Sequence, residues 1–347
     1  MDETRRTFLK LGSSIAATAV IAKDAVAAQP DIKVPLLVGD GSPVLRLATF
    51  VPASGGAPRV GAVTDKGTII DLGKTAQHTG ARLTFNPADM VSLISAGPGA
   101  IAAARHLAIA GTGERLEAVT LLAPIPNPTR NVYAVGWNYL EHFKESLTAK
   151  KAAAPLPQHP VFFTKDTHTV NSPFAALPYD PAVSTKIDWE GELAVIIGKR
   201  GKNIAEADAG SYVFGFTVIN DTTARDMQMD HGGQWFKGKS LDGHGPMGPW
   251  IVAAEDIDYN NLNLSTRING VLKQHINTSQ MYFKIPRIIA ELSLGLTLEP
   301  GDIIATGTPS GIGAARNPPE FLKPGDVMET EIDRIGVIRN TFKLVTV

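Results

Sequence analysis

Cysteine is absent from this 347-residue chain. Without it there is no disulfide, no thiolate nucleophile and no zinc–thiolate site, which removes several enzyme classes. Charge of one sign is not in excess either, because 33 Lys and Arg face 34 Asp and Glu, a formal net charge of −1 at pH 7. Nucleic acid therefore finds no electrostatic handle, and no basic stretch interleaved with aromatics supplies one. No segment beyond the N-terminus approaches the roughly 20 apolar residues that a bilayer span requires. H-E-x-x-H and G-x-S-x-G are also missing, so zincin and α/β-hydrolase readings have no support. What is plentiful is turn chemistry: 33 Gly and 24 Pro in a chain 44% hydrophobic and 19% charged. That composition favours many short strands over a helical bundle, and the length allows one large core or two moderate ones.

The N-terminus reads as a targeting segment. Thr4-Arg5-Arg6-Thr7-Phe8-Leu9-Lys10 is a twin-arginine signature, a mildly apolar run from Leu11 to Ala22 follows, and Ala25-Val26-Ala27 supplies a small-residue cleavage pattern. Residues 1–28 are expected to be read by the twin-arginine export machinery, which carries folded proteins to the periplasm. A disordered basic tail and a membrane anchor are the competing readings. The run is too short, and too rich in Ala, Gly and Ser, for a stable span.

Residues 29–125 read as a small N-terminal α/β domain. Val44 to Phe50 and Arg59 to Val63 have strand character, Asp65-Lys66-Gly67 a turn, and Thr68 to Leu72 the returning strand of a hairpin. Pro87 to Ala96 and Gly99 to Ala110 look helical. Pro124-Ile125-Pro126-Asn127-Pro128 is a proline-punctuated linker that opens the second domain, residues 126–347. Strands are expected there at Val132 to Val135, Val161 to Thr164, Glu192 to Ile197, Tyr212 to Asn220, Leu262 to Ile268, Asp302 to Ala305 and Asp326 to Ile332. Asn269-Gly270 signals a hairpin, and Tyr282 to Leu294 an amphipathic helix with Pro286 in its first turns. Many strands with few helical crossovers point to an all-β or α+β roll.

Several stretches could carry chemistry. Asp188-Trp189-Glu190-Gly191-Glu192 opens a run that alternates with period two, so Glu190 and Glu192 share one face and Leu193, Val195 and Ile197 the other. Two neighbouring carboxylates in an enclosed site need a proton or a cation between them; an acidic solvent-facing edge strand is the alternative. Asp221 stands at the mouth of the apolar strand Phe214 to Ile219, where it would serve as a site residue or as a helix N-cap. Three carboxylates without a nearby histidine would select Mg²⁺, Mn²⁺ or Ca²⁺ over zinc or copper.

Gly233 to Ser240 matches the P-loop pattern letter for letter. It lacks the preceding strand and the following helix that the pattern needs, so nucleotide binding is rejected. Lys239, fenced by glycine, reads instead as a cation for a substrate carboxylate or developing enolate, or as a plain surface lysine. His142 and Glu145, three apart in a helix opening at Asn138, meet on one face as a general base with its orienting carboxylate, or as a surface ion pair. The hydroxyls and backbone N–H groups of Thr306-Gly307-Thr308-Pro309-Ser310-Gly311-Ile312-Gly313 could bind an anionic substrate end, or form a turn without a role.

In order and spacing these stretches resemble the fumarylacetoacetate hydrolase superfamily, which includes acylpyruvate hydrolases and oxaloacetate decarboxylases. The matching residues are Asn138-Tyr139 with His142 and Glu145, Asp188 to Glu192, Asn220-Asp221 with Thr223 to Asp226 and Gln228, and Gly238-Lys239-Ser240 with Gly245 to Trp250. Asn269-Gly270, Asn277-Thr278-Ser279, Thr306 to Gly311 and Lys323-Pro324-Gly325-Asp326 complete the series, from about Asn131 to Phe342. The resemblance implies an α+β fold: a mixed β-roll catalytic domain of the fumarylacetoacetase C-terminal type behind the small N-terminal domain, assembled as a homodimer. It implies Glu190, Glu192 and Asp221 as ligands for Mg²⁺ or Mn²⁺, with Ca²⁺ in some members. Lys239 is implied as the active-site lysine, His142 and Glu145 as the water-activating dyad, and Arg225, Gln228 and Thr308 as substrate contacts.

The expected activity is metal-dependent hydrolysis of a C–C bond in a small acylpyruvate-type or diketo acid. Oxaloacetate-type decarboxylation or 2-oxo-alkenoate hydration and isomerisation on the same fold is the alternative, and a catalytically silent periplasmic oxo-acid binding protein is the second. Lys165-Asp166-Thr167-His168 stands where members commonly carry Lys-Pro-x-Thr, which leaves that loop's role open.

Overall fold

The structure is a computed structural model that describes residues 32–35, 44–149 and 153–345. The twin-arginine signature and its cleavage pattern lie outside the described residues. We number the main strands β1 (Arg46–Val51), β2 (Arg59–Val63), β3 (Thr68–Asp71), β4 (Glu114–Arg115), β5 (Val132–Gly136), β6 (Val161–Lys165), β7 (Leu177–Tyr179) and β8 (Gly191–Ile197). They continue as β9 (Val213–Asn220), β10 (Gly245–Ala253), β11 (Asn263–Ile268), β12 (Val271–Asn277), β13 (Ile303–Ala305), β14 (Val327–Ile332) and β15 (Gly336–Leu344). The helices are α1 (Leu72–Thr79), α2 (Met90–Ser95), α3 (Pro98–Ala110), α4 (Leu140–Ala149), α5 (Arg225–Asp230), α6 (Phe236–Lys239) and α7 (Ile285–Ser293).

One large mixed sheet runs in the order β4-β3-β2-β1-β10-β9-β8-β13-β5-β6, and a smaller sheet in the order β12-β11-β14-β15-β7. Strand β1 pairs antiparallel with β10 through Arg46↔Val252 and Leu47↔Ile251. The N-terminal strands thus extend the sheet of the second half, and the proline run at 124–128 interrupts the chain but not the sheet. Strand β8 is central and buried at all seven positions. Leu193, Val195 and Ile197 enter one apolar cluster, Ala194 and Ile196 another, so both faces of the sheet are covered. The alternation read from sequence has the right parity, and the exposed edge-strand alternative is excluded.

Local chemistry explains where the elements depart from expectation. The returning strand stops at Asp71 because its carboxylate accepts from the Lys74 N–H at 2.9 Å and starts α1, a helix the sequence reading missed. The helix expected over 87–96 begins only at Met90, where Asp89 caps it. Strand β10 was not among the expected strands. Its pairing with β9 shifts register between Phe216, opposite Val252, and Val218, opposite Gly248, which leaves room for Pro249, and all nine of its residues are buried. Asn269 and Gly270, at φ 52° and 77°, form the expected hairpin turn between β11 and β12. Among the described residues, no helix is long and apolar enough to cross a membrane.

Candidate active site

Register brings the acidic residues together. Strands β8 and β9 pair at Gly191↔Asn220 and Glu192↔Ile219, and the Asp221 N–H donates to the Glu190 carbonyl at 2.8 Å. Asn220 fixes the junction: its Oδ1 accepts from the Glu190 N–H at 3.0 Å, and its Nδ2 donates to Thr330 Oγ1 at 3.0 Å. Glu190, Glu192 and Asp221 each bring a carboxylate oxygen within 4.8 Å of the others, at 4%, 1% and 0% exposure. Asp221 is not a helix cap, since α5 begins after Ala224 with no side-chain cap.

Cations enclose the triad. Lys239, buried at the end of α6, donates to Asp221 Oδ2 at 2.6 Å and to Glu190 Oε2. Lys165 lies 2.8 Å from Asp221 Oδ1 and donates to the carbonyls of Thr222 and Lys239 at 3.3 and 2.5 Å. Arg225 lies between Asp188, at 2.8 Å from Nε, and Glu190, at 2.6 Å from Nη2. Burial pushes the Glu190 carboxyl up, but the Lys239 and Arg225 charges outweigh it and hold it at about 2. Glu192 has no such neighbour as close; burial and the Asp221 and Glu190 charges push it well above the ordinary carboxylate value. Burial also raises Asp221, against Lys165 and Lys239. An all-oxygen set in which burial and mutual repulsion disfavour the charge on Glu192 suits a hard divalent cation, which would relieve that repulsion.

The dyad faces the same space. His142 is 6% exposed, and its Nδ1 lies 2.9 Å from Glu145 Oε1. A carboxylate only accepts, so Nδ1 carries the proton and Nε2 is left as the base. Helix α4 is tied down at its start by Asn138, which donates to the Thr306 and Phe283 carbonyls at 2.7 and 3.1 Å. His142 is buried and Glu145 half-buried, unlike a pair standing free in solvent. A cavity of about 230 Å³ is lined by His142, Glu190, Glu192, Arg225, Gln228, Lys239 and Thr308, so all the expected site residues except Glu145 and Asp221 reach its wall. Glu145 stands behind His142, and Asp221 behind Lys239.

The glycine-rich loop differs from expectation. Its N–H groups hold protein carboxylates in place of a substrate: Gly307 donates to Glu192 Oε2 at 2.7 Å, Gly311 to both oxygens of Glu145 at 3.1 and 2.9 Å, and Gly313 and Ala314 to Asp188 at 2.7 and 2.9 Å. A Cβ at Gly311 would stand 2.1 Å from the Lys273 carbonyl oxygen, and one at Gly313 2.0 Å from that of Glu320. Only glycine brings the backbone this close. The Thr308 hydroxyl donates to the Gly191 carbonyl at 3.1 Å and accepts from Gln274 Nε2 at 2.8 Å.

Sequence reasoning quoted Lys165 and Asp188 without giving either a role, and it missed Gln274 and the aromatic wall. Lys165 ends the apolar strand Val161-Phe162-Phe163-Thr164, and a lysine at such a position was the available signal. Asp166, in place of the usual proline, keeps an N–H that donates to Ser240 Oγ at 3.0 Å and ties the loop beside Lys239. Trp235 packs edge-on against Trp137 and Phe163 at 5.0 and 5.2 Å between ring centroids, and all three line the cavity.

A buried carboxylate triad at a sheet centre, with a lysine across it and a His–Glu pair beside the same cavity, is a group that could hold a divalent metal ion. The chain belongs to the fumarylacetoacetate (FAA) hydrolase C-terminal family, whose profile matches residues 131–343. It is 42% identical over 291 residues to oxaloacetate tautomerase YisK of Bacillus subtilis (strain 168), covering 81% of this chain and 95% of that protein. Among solved structures it resembles a fumarylacetoacetate hydrolase from Exiguobacterium antarcticum, with TM-score 0.72, 35% identity and coverage of 87% and 100%. It also resembles a maleylpyruvate hydrolase from Sphingobium, with TM-score 0.68, 29% identity and coverage of 86% and 100%. The α+β fold with its mixed sheets is that of the family, and the chain is an enzyme acting on small acids.

Proposed function

We propose that the chain catalyses proton transfer at the carbon beside the ketone of a small 2-oxo acid of the oxaloacetate type, interconverting its enol and keto forms. The observation that carries this reading is the His142 base on the wall of the cavity that Glu190 and Glu192 also line, with Glu145 behind it. Glu190, Glu192 and Asp221 would hold Mg²⁺ or Mn²⁺, a Lewis acid that acidifies the adjacent C–H by polarising the carbonyl. His142 Nε2 takes the proton from carbon, and the 2-oxo oxygen gains a proton from the imidazolium or from solvent to give the enol; the reverse path restores the C–H bond and the ketone, and Glu145 steadies the imidazolium in both directions. Lys239 offsets negative charge developing on the 2-oxo oxygen, and Arg225 with Gln228 contacts the substrate from the cavity wall. The relative named an oxaloacetate tautomerase supports this reaction.

Hydrolytic C–C cleavage of an acylpyruvate-type acid is the second reading, favoured by the same dyad: His142 would take its proton from water. The test follows both substrates with EDTA-treated protein before and after Mg²⁺ or Mn²⁺, reading enol loss in the ultraviolet and pyruvate release by a coupled assay. Metal-restored tautomerisation is expected, and oxaloacetate decarboxylation is scored in the same experiment. No acceleration of any of these would end the proposal.

We also propose that residues 1–28 direct twin-arginine export to the periplasm and that the mature protein is a homodimer. The Arg5-Arg6 signature supports the first and family membership the second. Changing both arginines to lysine should hold the protein in the cytoplasm; unchanged periplasmic yield would refute export. Sedimentation at the monomer mass would refute the dimer.

A further inference from the structure

Strand β8 runs out of a neighbouring strand where it carries the two glutamates. Its pairing with β13 covers Ala194↔Ala305, Val195↔Ile304 and Ile196↔Ile303, and β13 ends at Ala305. The Thr306 N–H still reaches the Leu193 carbonyl at 3.0 Å. Gly191, between Glu190 and Glu192, points its N–H and C=O to the same side as Leu193, beyond the last of those pairs. Buried backbone groups need partners there, because each one left unpaired costs free energy comparable to a lost hydrogen bond.

Two side chains stand in for the missing strand. The Gly191 N–H donates to Gln274 Oε1 at 3.0 Å, and Gln274 Nε2 donates to Thr308 Oγ1 at 2.8 Å and to the Pro309 carbonyl at 3.0 Å. The Thr308 hydroxyl then donates to the Gly191 carbonyl at 3.1 Å, which closes a ring of hydrogen bonds on one residue. Both peptide planes between the glutamates are thereby fixed. Gln274 comes from β12, the edge strand of the smaller sheet, and is the one residue of that strand that is fully buried. An apolar side chain would fill the same space. An amide is tolerated in such a place when its hydrogen bonds are made, and here both N–H protons and the oxygen are used.

We propose that Gln274 is a positioning residue for the metal site. It replaces the ladder that β13 does not supply, and so holds Glu190 and Glu192 at the spacing from which both carboxylates take one divalent cation. The inference rests on the reading of Glu190, Glu192 and Asp221 as metal ligands and deepens it.

Mg²⁺ and Mn²⁺ alone are the probes, titrated by calorimetry into metal-free protein at one pH. Gln274→Met keeps the length of the side chain and removes its acceptor and both donors. It should weaken both metals about tenfold or more, the usual cost of losing a group that orients a ligand. Thr266→Val is the control. Thr266, on β11, is fully buried against Gly191, where a Cβ would stand 2.2 Å from its Oγ1, and that hydroxyl has no hydrogen-bond partner among the described residues. Metal affinity in Thr266→Val should stay within about twofold, since no hydrogen bond is lost. Gln274→Met protein that melts earlier but binds metal as the wild type does would reduce the glutamine to a packing role and overturn the assignment. Equal weakening in Thr266→Val would overturn it too.

If Gln274→Met does not fold, the wild-type protein still decides. Its Gly191 amide, followed by NMR in metal-free protein, should exchange with solvent as slowly as the paired amides later in β8, and rapid exchange would overturn the ring. Wild-type protein that binds neither metal would overturn the metal reading itself, a result distinct from metal binding that survives Gln274→Met.

Discussion

The dyad gives the sharpest test of the site, because its two readings differ in magnitude by far more than an assay's error. His142 and Glu145 have side chains 7% and 22% exposed and meet at 2.9 Å. An exposed ion pair of this length contributes about 0–1 kcal/mol of stability and nothing to rate. A general base with its orienting partner is worth about 10²–10⁴ in kcat, which is roughly 2.7–5.4 kcal/mol of barrier. Glu145 also accepts the Gly311 N–H, so Glu145→Ala leaves that donor unpaired and costs about 1–3 kcal/mol of stability in addition. His142→Ala leaves the Gly311 contact intact and should lower kcat with little change in melting temperature. The double variant should be hardly slower than either single, since residues that act as a unit are not additive. The assay is metal-saturated tautomerisation under initial-rate conditions, with thermal melts run beside it. Wild-type kcat in His142→Ala, or singles whose effects multiply in the double variant, would refute the dyad.

Three further outcomes follow from the charges. EDTA should abolish turnover and Mg²⁺ or Mn²⁺ restore it, and Asp221→Ala should lose metal while staying folded, checked by calorimetry and circular dichroism; full activity in chelated enzyme would refute the triad as a metal site. Because Glu192 is held above its ordinary value, metal binding should release a proton and tighten as pH rises through the Glu192 titration; calorimetry in buffers of different ionisation enthalpy would show no buffer dependence if this is wrong. Burial, with the Lys165 charge, holds the His244 imidazole at about 4 despite its bond to the Pro178 carbonyl. A base with a lowered folded pKa contributes stability that is complete above its unfolded value, about 6.5, and lost as pH falls toward 4. His244→Gln should therefore flatten the acid limb of a stability–pH curve between those values, and an unchanged limb would refute the assignment.

How much was legible in the sequence depended on whether a residue's role was local. Period-two alternation placed Glu190 and Glu192 on one face because strand geometry alone decides it. The three-residue spacing joined His142 to Glu145 for the same reason in a helix. Asn269-Gly270 fixed its hairpin by backbone preference. Long-range pairing is different. Nothing near Asp188 announces that Gly313, 125 residues later, will donate to it, and nothing near Lys165 announces Asp221. Strand β10 was hidden because its prolines mark turns in isolation, whereas here a register shift in its pairing with β9 leaves room for Pro249. The loop after β13 was read, from its hydroxyls and backbone N–H groups, as an anion site or as a turn without a role. The structure keeps the anion and changes its source, since the carboxylates bound there belong to the protein.

That change of source says what organises the site. Gly307, Gly311 and Gly313 send their N–H groups to Glu192, Glu145 and Asp188, which belong respectively to the triad, the dyad and the Arg225–Asp188 ion pair. One short loop is thus the common partner of all three and fixes their mutual geometry. The choice between tautomerisation and hydrolysis then turns on water. Both use the same base, but hydrolysis needs a water molecule between His142 and the substrate, and tautomerisation proceeds best without one. The space beside His142 is walled by Trp137, Phe163 and Trp235, and Gly136 permits the close approach, since a Cβ there would stand 2.3 Å from the Trp235 ring. Such carbon-rich rings offer a water molecule few hydrogen-bond partners, the two indole N–H groups being their only polar atoms. The aromatic side of the cavity therefore favours direct transfer between carbon and imidazole. Trp235→Ala, which opens that wall, should raise any hydrolytic or decarboxylating side reaction relative to tautomerisation. A ratio that stays constant or falls in that variant would show that the wall does not govern the outcome.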